Sequence, residues 1–313
     1  LIKNTVLGSN GARYRHINAI EQLKKLDNPL YFSLMAKESC IGNITLCQRK
    51  DSLYLRYFTF HDRFQASLNP NKREKIRRSP LKEHVSEFLN SLTPEKKQGI
   101  YAYVEPDNLR SLRMAKEFGF SPKANIAMFH FSRRFPKENR QFKILTFDKA
   151  IPFIRSQYGN QTHYFENPNS GVYAGWFVHD ELTLVARFHK GFWEIQSMKG
   201  RFGKVLIKAL PWLPHINKLI TPACHKFSAF DSFLSLNPSI DRKEVNAFLS
   251  AGLAHFKVHH MMHWLDESSP YIQYVEGIQW GLLHRILGKS EINLVVKGHA
   301  AAGPYFIDAM DML

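Results

Sequence analysis

Alternating apolar and polar positions predict short strands through the first 135 residues, and helical spacing of apolar positions predicts helices between them. Gly119 ends the clearest helix and marks its C-terminus. The predicted strands are 31–36, 41–47, 53–60, 99–104 and 124–131, and the predicted helices are 12–26, 72–92 and 107–118. Strands and helices in this order favour an α/β fold built on a mixed α+β sheet.

The same kind of pattern restarts after a charged, proline-broken stretch at 133–140. Strands are predicted at 172–178, 182–189, 192–198, 260–265, 292–296 and 305–309, with another inside 226–234. Helices are predicted at 242–254 and 271–287. We therefore predict two domains, 1–135 and 141–313, joined by a linker at 136–140.

Composition and charge narrow the class of protein. The 313 residues are 44% hydrophobic and 13% aromatic, which is enough to build packed cores, and the net charge is +16. A positive surface favours anionic partners such as nucleic acid, anionic lipid or a phosphorylated cofactor. No stretch approaches the length of a membrane span, and no signal peptide is recognised. With three scattered cysteines, we expect a cytoplasmic protein.

The most specific motif is the strand and helix at 101–120. Pro106, Asp107 and Asn108 follow the strand and supply caps for the next helix, and Gly119 with Phe120 ends that helix. This string resembles the fifth strand and fourth helix of the GNAT (N-acetyltransferase) superfamily, in which the strand ends in Asn-x-x-Ser, here Asn108 and Ser111. Segments 36–44 and 55–60 resemble the strands that precede it in that family.

The resemblance implies an acyl-CoA site in the first domain. Its pantetheine is expected along the fourth strand at Phe58, Thr59 and Phe60, with Asn108 and Ser111 opposite. The family's glycine-rich pyrophosphate turn is missing, so Arg77 and Arg78 are the side-chain substitutes that we predict. A second departure is Ala115, which stands where the family commonly has the tyrosine that acts as general acid and protonates the departing CoA thiolate.

In one register, the second domain matches the GNAT element order. In this register 227–234 is the strand that diverges from its neighbour, and Tyr271 or Tyr274 lies near the position where the family commonly has its general-acid tyrosine. We predict these two tyrosines as catalytic. An alternative register gives that role to strand 193–198. The basic turn that follows this strand is a candidate phosphate cradle through Lys199, Arg201, Gly203 and Lys204.

Taken together, the resemblance implies tandem GNAT-like domains and an N-acyltransferase that uses acetyl-CoA or another acyl-CoA and passes the acyl group to an unidentified amine. Two alternatives stay open: an aminoacyl-tRNA-dependent transferase, which suits the positive charge, and a non-catalytic GNAT-like binding module. No metal is predicted, because the histidine cluster at 255–263 contains no acidic ligand.

Overall fold

The computed structural model describes residues 5–8, 13–24, 28–49, 51–60, 80–93, 99–198, 203–213, 216–237, 240–299 and 301–313. Within these residues, one mixed sheet runs through the molecule. Its strands are β1 (Arg13–His16), β2 (Pro29–Ala36), β3 (Ser39–Gln48), β4 (Ser52–Phe60), β5 (Gly99–Val104), β6 (Ser121–Ser132), β7 (Phe142–Leu145), β8 (Val172–Val178), β9 (Glu181–Ser197), β10 (His225–Ser235), β11 (His260–Asp266) and β12 (Ser290–Gly298).

The helices lie on both faces of this sheet. They are α1 (Ala19–Lys24), α2 (Pro80–Ser91), α3 (Leu109–Glu117), α4 (Phe147–Tyr158), α5 (Gly203–Ala209), α6 (Arg242–Phe256), α7 (Ile272–Glu276), α8 (Leu282–Leu287) and α9 (Ala309–Met312). None of the helices in these described ranges is long and apolar enough to cross a lipid bilayer.

The two ends of the sheet repeat the same arrangement around a central antiparallel pair, β6 and β12. The order is β2-β3-β4-β5-β12-β6-β11-β10-β9-β8-β7. On each side of the centre stands one parallel pair, β4 with β5 and β10 with β11. A helix, α2 or α6, connects the two strands of each pair, as a parallel connection requires.

The central pair joins the two halves of the chain. Strand β12, from the C-terminal half, pairs with β5 on one side and β6 on the other, and β6 pairs with β11. Strand β12 of the C-terminal half therefore lies beside β5, and β6 of the N-terminal half lies beside β11. The division at 136–140 stays a prediction, but the sheet continues across it.

Several predicted elements differ in the structure. The strands expected at 182–189 and 192–198 are one continuous strand, β9, in which Gly191 leaves room for the Phe227 ring. The helix expected at 271–287 is divided into α7 and α8, with Gly281 between them at a φ of 98°. Residues 305–308 form an irregular segment instead of a strand, with its only bridge within the described residues at Tyr305, and Ala309 begins α9.

Candidate active site

Strands β4 and β5 diverge, and a cleft lies in the gap between them. Their pairing covers only Ser52–Tyr54 against Gly99–Tyr101. Both strands continue past this point, to Phe60 and Val104, without pairing to each other. The facing edges of residues 55–58 and 102–104 therefore border a space of about 250 Å³ instead of forming a ladder.

The two faces of the cleft differ in composition. On one face, α2 and α3 contribute Leu89, Met114 and Ala115, with Phe118 just beyond α3. The opposite face consists of polar and aromatic side chains from β1 together with the C-terminal residues 311–313. The first side is therefore mainly apolar, although Ser111 of α3 also lines it, and the second side carries the polar groups of Tyr14, His16 and Asp311.

Three polar atoms of the cleft are buried and have no hydrogen-bond partner among the described residues. They are His16 Nδ1, Arg56 Nε and the Tyr103 hydroxyl. Burial and the nearby Arg56 charge lower the pKa of His16 to about 3, so its imidazole is neutral at pH 7. Burial, followed by the Asp311 carboxylate, raises the pKa of Tyr103, which keeps its hydroxyl protonated. Buried polar groups usually have partners, so these three atoms are candidates for binding a polar ligand.

Hydrogen bonds from β4 and β5 hold the polar wall in place. The Asp311 carboxylate accepts from Arg49 and, at 2.9 Å, from the Tyr101 hydroxyl. The Tyr54 hydroxyl donates to the Asp311 carbonyl, and Arg56 Nη1 donates to the Met310 carbonyl at 2.6 Å. Residues from both diverging strands thus fix the C-terminal segment against the cleft.

The first-domain residues implied by the GNAT resemblance divide into three groups. Phe58, Asn108 and Ser111 line the cleft, and the Asn108 side chain caps α3 by accepting from the Ser111 amide at 3.1 Å. Thr59 and Phe60 follow on β4 but do not line the cleft. Arg77 and Arg78 lie outside the described residues.

Of the four residues of the predicted phosphate cradle, the structure describes only the last two, Gly203 and Lys204. Lys199 and Arg201 lie outside the described residues. Gly203 begins α5 so close to the Met198 carbonyl that a Cβ would stand 1.8 Å from that oxygen, so tight packing accounts for this glycine. Lys204 is the second residue of α5. The cradle stays a prediction.

The structure decides between the two registers of the second half. Strand β10 pairs in parallel with β11 at Ser228–Phe230 and then diverges from it, which is the register with 227–234 as the diverging strand. The alternative is wrong, because the segment 193–198 belongs to β9, which pairs antiparallel with β10 and β1 and does not pair with β11.

A segment of the chain itself bridges the gap between the diverging strands β10 and β11, which we call the second gap. The Tyr305 amide donates to the Asp266 carboxylate at the end of β11, and the Ala309 amide donates to Asp231 on β10, each at 2.8 Å. Between them, Asp308 and Asp231 both bind the buried Arg187 guanidinium. Residues 305–309 therefore lie where the diverging strands of this half would otherwise leave an open cleft.

Tyr271 and Tyr274 lie away from the first cleft. Tyr271 precedes α7, and its hydroxyl donates to the Gln157 side chain of α4. Tyr274 is within α7 and is 44% exposed. Neither lines the β4–β5 cleft, and their catalytic roles stay predictions.

Sequence reasoning missed Tyr103, Arg56 and His16 as site residues. Tyr103 and Arg56 sit inside the strands that were predicted, where polar side chains are expected on the solvent side of an alternating pattern. His16 fell within a predicted helix, whereas it ends β1. Only the divergence of β4 from β5 shows that these side chains face a cleft.

Comparison with known proteins supports the fold assignment. No family model matches the sequence, and no curated protein is similar to it. Saccharomyces cerevisiae N-myristoyltransferase with bound myristoyl-CoA has a similar structure, with a TM-score of 0.53 and 8% identity, over 97% of this chain and 76% of that one. A GCN5-related N-acetyltransferase from Sphaerobacter thermophilus aligns at a TM-score of 0.45 with 12% identity, over 84% and 78% of the two chains. This chain has the fold of the GNAT acyltransferases, which N-myristoyltransferase shares.

Proposed function

We propose that the chain is an acyl-CoA-dependent N-acyltransferase whose acyl-CoA binds in the β4–β5 cleft. The observation that carries the proposal is the cleft between the diverging strands, which contains three polar atoms without a partner among the described residues, in a fold shared with an acyltransferase. The second gap is a weaker candidate, because residues 305–309 bridge its two strands.

The backbone edge of β4 at residues 55–58, which faces the cleft, suits the pantetheine arm of CoA. Beyond Tyr54, the amides and carbonyls that would pair with β5 border the cleft, and an extended amide-containing chain can pair with a strand edge. The apolar side, with Leu89, Met114 and Phe118, provides a place for the acyl chain.

The polar side suits the transfer step. In this reaction the amine nitrogen attacks the thioester carbonyl carbon, the C–N bond forms, the C–S bond breaks, and CoA leaves as a thiolate, while the proton that the nitrogen loses passes to solvent water. The Nδ1 atom of neutral His16 has no partner among the described residues and can form a hydrogen bond that orients the amine. The protonated Tyr103 hydroxyl donates a hydrogen bond to the departing thiolate.

A comparison of tyrosine variants tests this assignment. With acetyl-CoA and myristoyl-CoA as donors and a panel of amines, release of the CoA thiol is measured for Tyr103→Phe and Tyr274→Phe, each of which loses one hydroxyl. We expect Tyr103→Phe to lower kcat about 10- to 100-fold with little change in acyl-CoA affinity, because only a donor to the leaving group is lost. Tyr274→Phe should keep the wild-type rate. Loss of activity in Tyr274→Phe or Tyr271→Phe alone would assign the chemistry to the second half.

Ligand-induced stabilisation separates the remaining alternatives. We expect acetyl-CoA or a longer acyl-CoA to raise the Tm, because a ligand that binds only the folded state stabilises it. A Tm raised by tRNA and not by any acyl-CoA would favour the aminoacyl-tRNA-dependent transferase, for which the +16 net charge is the supporting observation. No shift with either would favour a non-catalytic module.

A further inference from the structure

One surface of the C-terminal half exposes a group of large apolar side chains. Trp212 is 85% exposed, Val205 62% and Ile286 54%. Leu213, Leu282 and Leu287 are exposed as well, and we call these six residues the α5–α8 surface. Single exposed apolar residues are common in soluble proteins, but a contiguous group of them marks an interaction site.

Buried packing beneath these residues makes the surface continuous. Leu283 of α8 belongs to one core cluster with Leu210, which follows α5, and with Leu219. Ile207 of α5 packs against the same cluster. The exposed residues of α5, of the turn that follows it and of α8 are therefore neighbours on a shared support.

The segments that form this surface carry basic residues and no acidic ones. The sequence contains no Asp or Glu between Glu194 and Asp231, a stretch with six lysines and arginines, and none between Glu276 and Glu291. In the described structure, the exposed basic side chains of these stretches include Lys208, Lys218 and Arg285. Beyond α8, Lys289 pairs with Glu267, whereas Lys208, Lys218 and Arg285 add cations beside the exposed apolar groups; such a surface is complementary to one that is apolar inside and anionic at its boundary.

We propose that the α5–α8 surface docks on an anionic lipid bilayer. Tryptophan favours the boundary between headgroups and acyl chains, and Lys and Arg reach from an apolar contact to lipid phosphates. A nucleic-acid surface would explain the cations but not the exposed Val205, Leu282 and Ile286, since phosphates and sugars give aliphatic side chains no apolar partner. The chain lies on the membrane by this surface while the β4–β5 cleft belongs to the other half of the sheet.

The fluorescence emission of Trp212 reports directly on contact of this surface with a membrane. The chain has five tryptophans, and the other four, Trp176, Trp193, Trp264 and Trp280, are buried. We expect vesicles with roughly one third phosphatidylglycerol to shift the emission of the full chain to the blue and to carry it into the pellet, and pure phosphatidylcholine vesicles to do neither. High salt should weaken the binding.

Paired variants locate the contact. Trp212→Ser with Ile286→Ser should lower partitioning into anionic vesicles at least about tenfold, and Lys208→Glu with Lys218→Glu should do the same. The matched controls are Ile144→Ser, which is 48% exposed on β7, and Lys149→Glu on α4; both should bind like the wild type.

Three results would overturn the proposal: no binding to anionic vesicles, equal loss in the control variants, or tRNA binding that depends on Lys208 and Lys218 without any vesicle binding. Each is independent of acyl-CoA binding, so the proposed enzymatic function is tested separately.

Discussion

Three buried histidines form a hydrogen-bonded row across neighbouring strands. His130 Nδ1 of β6 lies 3.1 Å from His260 Nε2 of β11, and His260 Nδ1 lies 2.9 Å from His225 Nε2 of β10. Burial lowers the pKa of His130 to about 3 and that of His225 to about 4, and it lowers the pKa of His260 well below its usual value. Neutral imidazoles can form such a row because each carries one donor and one acceptor nitrogen.

The row predicts a loss of stability in mild acid. These folded-state pKa values lie below the unfolded value of 6.5, so between pH 6.5 and about 4 the unfolded chain binds more protons. The free energy of unfolding should be constant with respect to these groups above pH 6.5 and fall below it, by up to about 1.4 kcal/mol per pH unit for each histidine. Urea titrations at intervals from pH 7.5 to 4.5 measure this.

A variant assigns that loss to the row. His260→Asn should reduce the pH dependence by the share of one histidine, because His130 and His225 still have lowered pKa values, whereas Asn90→Ala on the exposed side of α2 should leave it unchanged. A wild-type free energy that stays constant from pH 7 to 5 would contradict the assignment.

Helix α3 begins and ends through contacts between residues that are close in sequence. Asn108 caps its first turn, and Gly119, with φ of 84°, ends it, while the Phe120 amide donates to the Ala115 carbonyl at 2.9 Å. Phe118 and Phe120 then enter the core beside β5. All of these contacts lie within a few positions in sequence, which is why the helix was predictable.

Removing the Asn108 cap of α3 should lower the free energy of unfolding by the amount usual for a helix N-cap. Asn108→Ala should lower the free energy of unfolding by about 1 kcal/mol, and Asn108→Asp should keep most of it, because a carboxylate also accepts from the helix N-terminus. Asn90→Ala on the exposed side of α2 is the control, and urea denaturation of the three variants is the measurement. Equal stability of Asn108→Ala and wild type would show that the hydrogen bond to Ser111 contributes nothing.

At the scale of the whole molecule, the two halves are bound through the central strands. Besides the pairing of β12 with β5 and β6, Arg133 donates to the Gln279 carbonyl at 2.6 Å and the Lys137 amide donates to Ser250 Oγ at 3.1 Å. The predicted linker therefore crosses a surface to which it is hydrogen-bonded.

A cut in that linker should not separate the halves. With a protease site inserted between Pro136 and Arg140, the cleaved protein should elute at the volume of the intact chain and split only in denaturant, since separation requires removing β12 from the sheet. The same insertion left uncleaved is the control. Two folded fragments at smaller sizes would instead establish 1–135 and 141–313 as independent domains.

The sequence by itself determined the elements whose signals are local, such as β4, β5, α3 and α6, and the motif at Asn108, Ser111 and Gly119 that resembles the GNAT superfamily. Those signals are strand alternation, helix caps and a glycine at positive φ, which act over a few residues. Only the tertiary structure decided which strands are neighbours, because pairing between distant segments depends on registers that no local pattern encodes. It alone placed β12 beside β5, directed residues 305–309 to the second gap, and brought Tyr103 and His16 to one cleft. Such contacts join segments far apart in the chain, and the core selects them by burying all of the apolar faces together.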